Sequence, residues 1–218
     1  MAPIIISIEG NIGSGKSTIL SKIKEKLPNN IFILQEPVDI WENIKDENGE
    51  TILSKFYKDP AKYAFAFQVM AYTTRLTALR KAIQENPHAK IILCERSLNA
   101  DREIFAKMLR DDGFIEPVLY QIYEEQYSNT SDEFTLDYIM YIDTDPDICL
   151  KRVAKRSREG ESKITIEYLT KCHKYHDIWL CPNKLNTKCP IVYFDGNDTL
   201  EADDFIDILQ HIYQKSIA

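Results

Sequence analysis

The sequence predicts an α/β fold in which a five-stranded parallel sheet is flanked on both faces by helices. Three observations carry this. Five short apolar runs, Ile4–Ile8, Ile31–Leu34, Lys90–Cys94, Tyr138–Ile142 and Ile191–Phe194, are separated by long stretches of helical character. Runs that are apolar on both faces are typical of strands buried between helical layers. The first run leads into Gly10-Asn-Ile-Gly-Ser-Gly15-Lys16-Ser17-Thr18, and G-x-x-x-x-G-K-S between a strand and a helix is a phosphate-binding loop. No repeat, low-complexity segment or linker divides the 218 residues, so 1–218 reads as one domain.

The composition, 44% apolar and 28% charged, is that of an ordinary globular protein. A net charge of −7 argues against a nucleic-acid-wrapping surface, so local basic clusters read as sites for small anions. Five scattered cysteines lack any C-x-x-C pattern. Cys94 and Cys149 sit in or beside apolar runs, where a reduced thiol acts as a small hydrophobe. A reducing, cytoplasmic compartment is the expectation. The chain goes straight into a strand, so no signal peptide is expected, and no apolar run approaches the ~20 residues of a membrane span.

Taken in order, the first helix is expected over Lys16–Leu27, stopped by Pro28-Asn29-Asn30. The second strand ends in Gln35-Glu36-Pro37, with Trp41 shortly after. Asp59-Pro60 is an N-cap followed by a first-turn proline, opening a long helix to about Gln84. The third strand ends in Glu95-Arg96-Ser97. Helices follow over Ala100–Leu109 and Glu116–Tyr127. After the fourth strand Asp145-Pro146 starts another helix, which ends in a run with five Lys or Arg among residues 151–158. Two more are expected over Thr165–Leu180 and Leu200–Gln214.

Ligands of an open parallel sheet bind beyond the carboxyl ends of its strands. Three polar clusters occupy such ends: the loop, Glu36, and Glu95-Arg96. In the loop, backbone N–H groups cradle phosphate, Lys16 reaches the β/γ-phosphates and the Ser17 hydroxyl suits magnesium. Residues Gly10, Asn11, Ile12, Gly13, Ser14, Gly15, Lys16, Ser17 and Thr18 are therefore grouped as the donor-phosphate site. Glu36, stiffened by Pro37, is the candidate base, Arg96 holds the same acceptor oxygen, and Glu95 serves the metal. Arg152 and Arg156 lie one helical turn apart, and the flexible Glu159-Gly160-Glu161-Ser162 follows. This reads as an arginine-rich lid over about 151–163, with Arg152, Arg156 and Arg158 for the transferring phosphate. Gln68, Ala71, Tyr72 and Arg75 share one helix face. The Gln amide suits the edge of a base, and Arg75 can pair with Asp101 beside it. Cys172, His173, His176, Cys181 and Cys189 match no standard zinc spacing.

Together these motifs resemble the cellular deoxynucleoside kinases, the family of deoxycytidine, deoxyguanosine and deoxyadenosine kinases. The resemblance runs from Ile4 to about Leu180. It rests on Ile8-Glu-Gly-Asn-Ile-Gly-Ser-Gly-Lys-Ser17, Glu36-Pro-Val-Asp-Ile-Trp41, Tyr57, Gln68, Arg75, Glu95-Arg96-Ser97 with Asp101-Arg102, and the R-x-x-x-R-x-R lid. It implies a P-loop kinase fold and ATP-dependent phosphorylation of a deoxynucleoside 5′-hydroxyl, with Mg2+. By position it implies Glu36 as base with Arg96, Tyr57 and Glu161 on the 3′-hydroxyl, Gln68 on the base, and Phe67 and Phe105 around it near Trp41. It also implies a homodimer inhibited by deoxynucleoside triphosphates. Thymidine-favouring relatives tend to lack the Arg/Asp pair. Arg75 and Asp101 with small Ala71 therefore favour deoxycytidine or purine deoxynucleosides. The rival reading is a thymidylate-type monophosphate kinase, whose anionic acceptor sits badly against Glu36. A GTPase-like switch is disfavoured, because Asn183-Lys184-Leu-Asn186 lacks the aspartate of N-K-x-D.

Overall fold

The computed structural model describes residues 2–28, 30–156, 158, 160–180 and 189–217. The five expected strands form a parallel sheet: β1 Ile4–Gly10, β2 Ile31–Leu34, β3 Ile91–Glu95, β4 Tyr138–Asp143 and β5 Ile191–Asp195. Their order is β2-β3-β1-β4-β5, with β1 at the centre. Four strands run one or two residues past the apolar run that marks them. The ladder continues through Ile8↔Glu95, Gly10↔Ile142 and Asp143↔Asp195, so polar residues are carried on rigid strand ends.

Alternation along β1 divides the core. Ile6 and Ile8 pack with Ile19, Leu20 and Ile23 of helix α1 (Lys16–Lys24) and Phe205 and Leu209 of α10 (Ala202–Ile217). Ile5 packs on the other face with Tyr72, Leu76 and Leu79 of α4 (Pro60–Glu85) and Tyr123 of α7 (Pro117–Ser128). Each such side chain taken from water contributes about 1.5–3 kcal/mol. Helix α1 ends three residues before Leu27, because Ile23 is its last fully buried residue and Glu25 and Lys26 are exposed. The Asp59 carboxylate accepts the Lys62 N–H and caps α4 as expected.

Two helices escape the periodicity rule. α2 (Val38–Asn43) and α3 (Ile52–Lys58) span only six and seven residues, under two turns. They bury Val38, Trp41, Leu53 and Phe56 against Phe67 and Ala71 of α4. The helix expected over Ala100–Leu109 is three pieces: α5 (Leu98–Ala100), capped by Ser97, a π-helical stretch Asp101–Ala106, and α6 (Lys107–Asp111). Such wide turns occur often at functional sites. The remaining helices are α8 (Pro146–Arg156) and α9 (Ile166–Leu180).

The described part of the lid carries regular structure that its composition did not suggest. Gly160 takes φ 83°, and Glu161–Lys163 forms a 3₁₀ turn in which Glu161 is buried. Ser157 and Glu159 of that segment, Cys181 and the Asn183–Asn186 stretch lie outside the described residues. Among the described residues no helix is long and apolar enough to cross a membrane.

Candidate active site

A cleft of about 950 Å³ opens beyond the ends of β1, β2 and β3. Its floor is the loop between β1 and α1. Gly13 has φ 84°, and a Cβ there would lie 2.5 Å from the Cys149 carbonyl oxygen of α8. Gly10 has φ 150°, and its Cβ would lie 2.7 Å from the Ile142 oxygen of β4. Only glycine permits this approach of the loop to its neighbours. Ile12, Gly13, Gly15, Lys16, Ser17 and Thr18 line the cleft. Gly10, Asn11 and Ser14, grouped with them by the motif, brace the loop from behind. Asn11 Nδ2 donates to the Leu169 carbonyl at 2.9 Å, and its Oδ1 accepts the Ile12 N–H at 2.8 Å. Arg152 Nη1 donates to Ser14 O at 3.2 Å. Lys16 Nζ spans the loop to Gly10 O at 3.0 Å and Asn11 O at 2.8 Å. Burial first, and the charge of Arg96 second, push its ammonium down to about 8.

Beside the loop four charged side chains join. Arg75, buried on α4, donates from Nε and Nη2 to both Asp101 oxygens, at 2.8 and 3.2 Å. The expected pair is therefore a two-point contact, which fixes the guanidinium plane. The same Nη2 also reaches Glu36 Oε1 at 2.8 Å, and Nη1 holds the Glu95 carbonyl at 3.1 Å. Arg96, expected to be the partner of Glu36, is farther off, with Nε at 3.5 Å. Burial works to raise the Glu36 carboxyl, but Arg75 and Arg96 outweigh it and hold it well below the ordinary carboxylate range. Glu36 is thus an anion at neutral pH, aimed into the cleft.

Arg96 has φ 68°, the only left-handed non-glycine residue among the described ones. Its guanidinium lies 4.7 Å over the Phe105 ring, and Nη2 donates to Gly10 O at 3.1 Å. Ser17 Oγ donates to Glu95 Oε1 at 2.5 Å, where β3 ends beside the loop. Two oxygen ligands so close, at the mouth of a phosphate loop, fit a hard divalent cation.

The far wall is aromatic. Phe67 stacks on Phe56 at 4.7 Å and meets Trp41 edge-on at 5.5 Å. Gln68 is buried, with its Oε1 unpartnered, and lines the cleft with Ala71, Phe67 and Phe105. Tyr57 meets Tyr168 edge-on at 5.8 Å, and burial followed by the Glu161 charge raises its phenol far above the usual value. Arg156 grips Glu161 with three contacts of 2.6–3.0 Å, and Arg158 Nη1 reaches it at 3.4 Å. Arg152 is therefore at the loop, while Arg156 and Arg158 hold the acidic residue of the lid.

Among the lining residues not foreseen are Leu53 and Phe56 on the short α3, and Tyr168 on α9. Leu53 and Phe56 lack a readable period, and Tyr168 sits in an ordinary amphipathic helix. Asn197–Leu200, after β5, line the same cleft.

The deoxynucleoside kinase family model matches residues 6–218. A probable deoxycytidine kinase of fowlpox virus (strain NVSL) is 38% identical over 219 residues, covering 95% of this chain and 86% of its own. Deoxycytidine kinase 2 of Gallus gallus is 31% identical, covering 91% and 84%. The Homo sapiens deoxycytidine kinase is 30% identical, covering 96% and 88%. A phosphate loop, an anionic carboxylate beside it and an aromatic wall meet in one cleft, and this chain belongs to the deoxynucleoside kinase family, enzymes that transfer a phosphoryl group to a hydroxyl acceptor.

Proposed function

We propose that the protein phosphorylates the 5′-hydroxyl of deoxycytidine and purine deoxynucleosides in preference to thymidine, with ATP as donor. The carrying observation is the Glu36 carboxylate, held anionic by Arg75 and Arg96 beside the loop. Phosphoryl transfer needs positioning and charge stabilisation more than covalent chemistry. Glu36 accepts the hydroxyl proton, Arg96 orients the acceptor oxygen, and Lys16 with Arg152 takes charge from the donor phosphates. Arg156 and Arg158 join them when the lid closes. Ser17 and Glu95 would hold magnesium, which when bound neutralises charge on the transferring group. Tyr57 and Glu161 hold the 3′-hydroxyl. Gln68, with a free acceptor, reads an exocyclic amine, and Arg75 with Asp101 forms the polar wall that disfavours a thymine methyl. A monophosphate acceptor would bring up to two negative charges against Glu36, which argues against the thymidylate-type alternative.

The same reading includes a homodimer, supported by Val118 and Ile122, exposed one turn apart on α7. It includes feedback inhibition, since a deoxynucleoside triphosphate seated with its base at Gln68 reaches the loop with its phosphates. Buried thiols at Cys94, Cys149 and Cys172 support a reducing, cytoplasmic compartment. The test is Glu36→Gln, expected to lower kcat on deoxycytidine by about 10²–10⁴ while ATP binding persists. Full activity in that variant would remove Glu36 as the base.

A further inference from the structure

Glu9 is absent from every role above, yet it is fully buried in the central strand one residue before the loop. It lies on the β1 face that carries Ile5 and Ser7. From there its Oε1 accepts the Ser97 N–H at 2.9 Å. Ser97 follows Arg96, the left-handed residue, and Ser97 Oγ accepts the Ala100 N–H to cap α5. Three consecutive β1 residues therefore grip this corner. Ile8 O accepts the Arg96 N–H at 3.0 Å, Glu9 takes the Ser97 N–H, and Gly10 O accepts from the Arg96 guanidinium at 3.1 Å. Left-handed backbone is unfavourable for a side chain with a Cβ, so it persists only where surrounding contacts impose it. On either side of Arg96 a side chain holds the backbone: Arg75 Nη1 donates to the Glu95 carbonyl at 3.1 Å, and Glu9 accepts the Ser97 N–H.

We infer that Glu9 is a positioning residue: its carboxylate fixes the left-handed turn at Arg96 and so aims that guanidinium at the acceptor oxygen. This rests on the role of Arg96 proposed above. An ordinary buried carboxylate in mid-strand would be replaceable by any residue that fills its volume; a positioning carboxylate needs its acceptor oxygen.

Glu9→Met fills the volume without an acceptor, and Glu9→Gln keeps one. Steady-state kinetics on deoxycytidine, per folded molecule titrated by ATP binding, should show kcat about 10–100-fold lower in Glu9→Met with the ATP KM little changed. Glu9→Gln should recover most of that turnover. In an Arg96→Ala background the Met substitution should have almost no further effect, because the two act through one group. Equal losses in both backgrounds, a Met variant with full kcat, or one that does not fold would each overturn the assignment. Wild-type protein inactive on every deoxynucleoside would instead sink the proposed function. In that case hydrogen exchange decides: Ser97 amide protection lost in Met and kept in Gln supports the contact, and protection unchanged in Met refutes it.

Discussion

Replacing Arg75 by Met removes the one group that joins Asp101, Glu36 and the end of β3. Arg75 is 4% exposed and Asp101 2%, so water cannot substitute for the lost contacts. The substitution strands one buried carboxylate and weakens the restraint on another. Breaking a buried ion pair on one side costs about 3–5 kcal/mol. At about 2–4 °C per kcal/mol for a domain of this size, Tm should fall by roughly 6–20 °C. Adding Asp101→Ala removes the stranded charge, so the double variant should be more stable than Arg75→Met alone despite carrying one more substitution. Calorimetric and urea unfolding of the four chains of this cycle measure the coupling directly. The reasoning is refuted if Arg75→Met costs less than about 1 kcal/mol, the net worth of an ordinary hydrogen bond. Additive single costs would refute it equally. The double variant also tests specificity: thymidine use should rise relative to deoxycytidine, and an unchanged preference removes Arg75 and Asp101 as readers of the base.

Other outcomes follow from the same site. Lys16 is ordinarily charged up to 10.5 but is held at about 8 in the ligand-free fold, so the cost of its charge weighs on folding below pH 8 and disappears as pH rises toward 10.5. An anionic triphosphate restores the ammonium, so binding at pH 8 should take up about half a proton, and almost none at pH 6. Calorimetric titration in two buffers of different ionisation heat reads this, and no uptake at pH 8 would contradict it. Glu36 has its folded pKa depressed from 4.5 toward about 2, so its stabilisation is complete above 4.5 and is lost as pH falls through that window. Glu36→Gln should flatten the acid limb of stability there, and an unaltered limb would count against the ion pair. Val118→Glu with Ile122→Glu should convert a dimer to a monomer in sedimentation; an unchanged mass would place the interface elsewhere.

The parallel sheet and the donor loop were legible because both rest on local signals: apolar runs set strands, and loop glycines are demanded by backbone geometry. The strand ends were legible by topology, since a parallel sheet gathers Glu36, Glu95 and Arg96 at one edge. Partner choice was only half legible. Helical spacing put Gln68 and Arg75 on one face, and the Arg75–Asp101 pair followed, but nothing local shows one guanidinium also reaching Glu36, 39 residues earlier. Likewise α2 and α3 are too short for a period, so Phe56 and Leu53 stayed hidden until tertiary packing placed them. Glu9 looked like part of a motif because its contact with Ser97 spans 88 residues. Nor does the motif reveal which loop side chains turn away from the cleft, as Asn11 does to brace α9.

The most direct measurement is a turnover panel of four deoxynucleosides and four deoxynucleoside monophosphates with ATP and magnesium. Phosphorylation of deoxycytidine and the purine deoxynucleosides, weaker use of thymidine and no use of monophosphates is the expected result. Turnover of monophosphates alone would contradict a neutral hydroxyl acceptor facing Glu36.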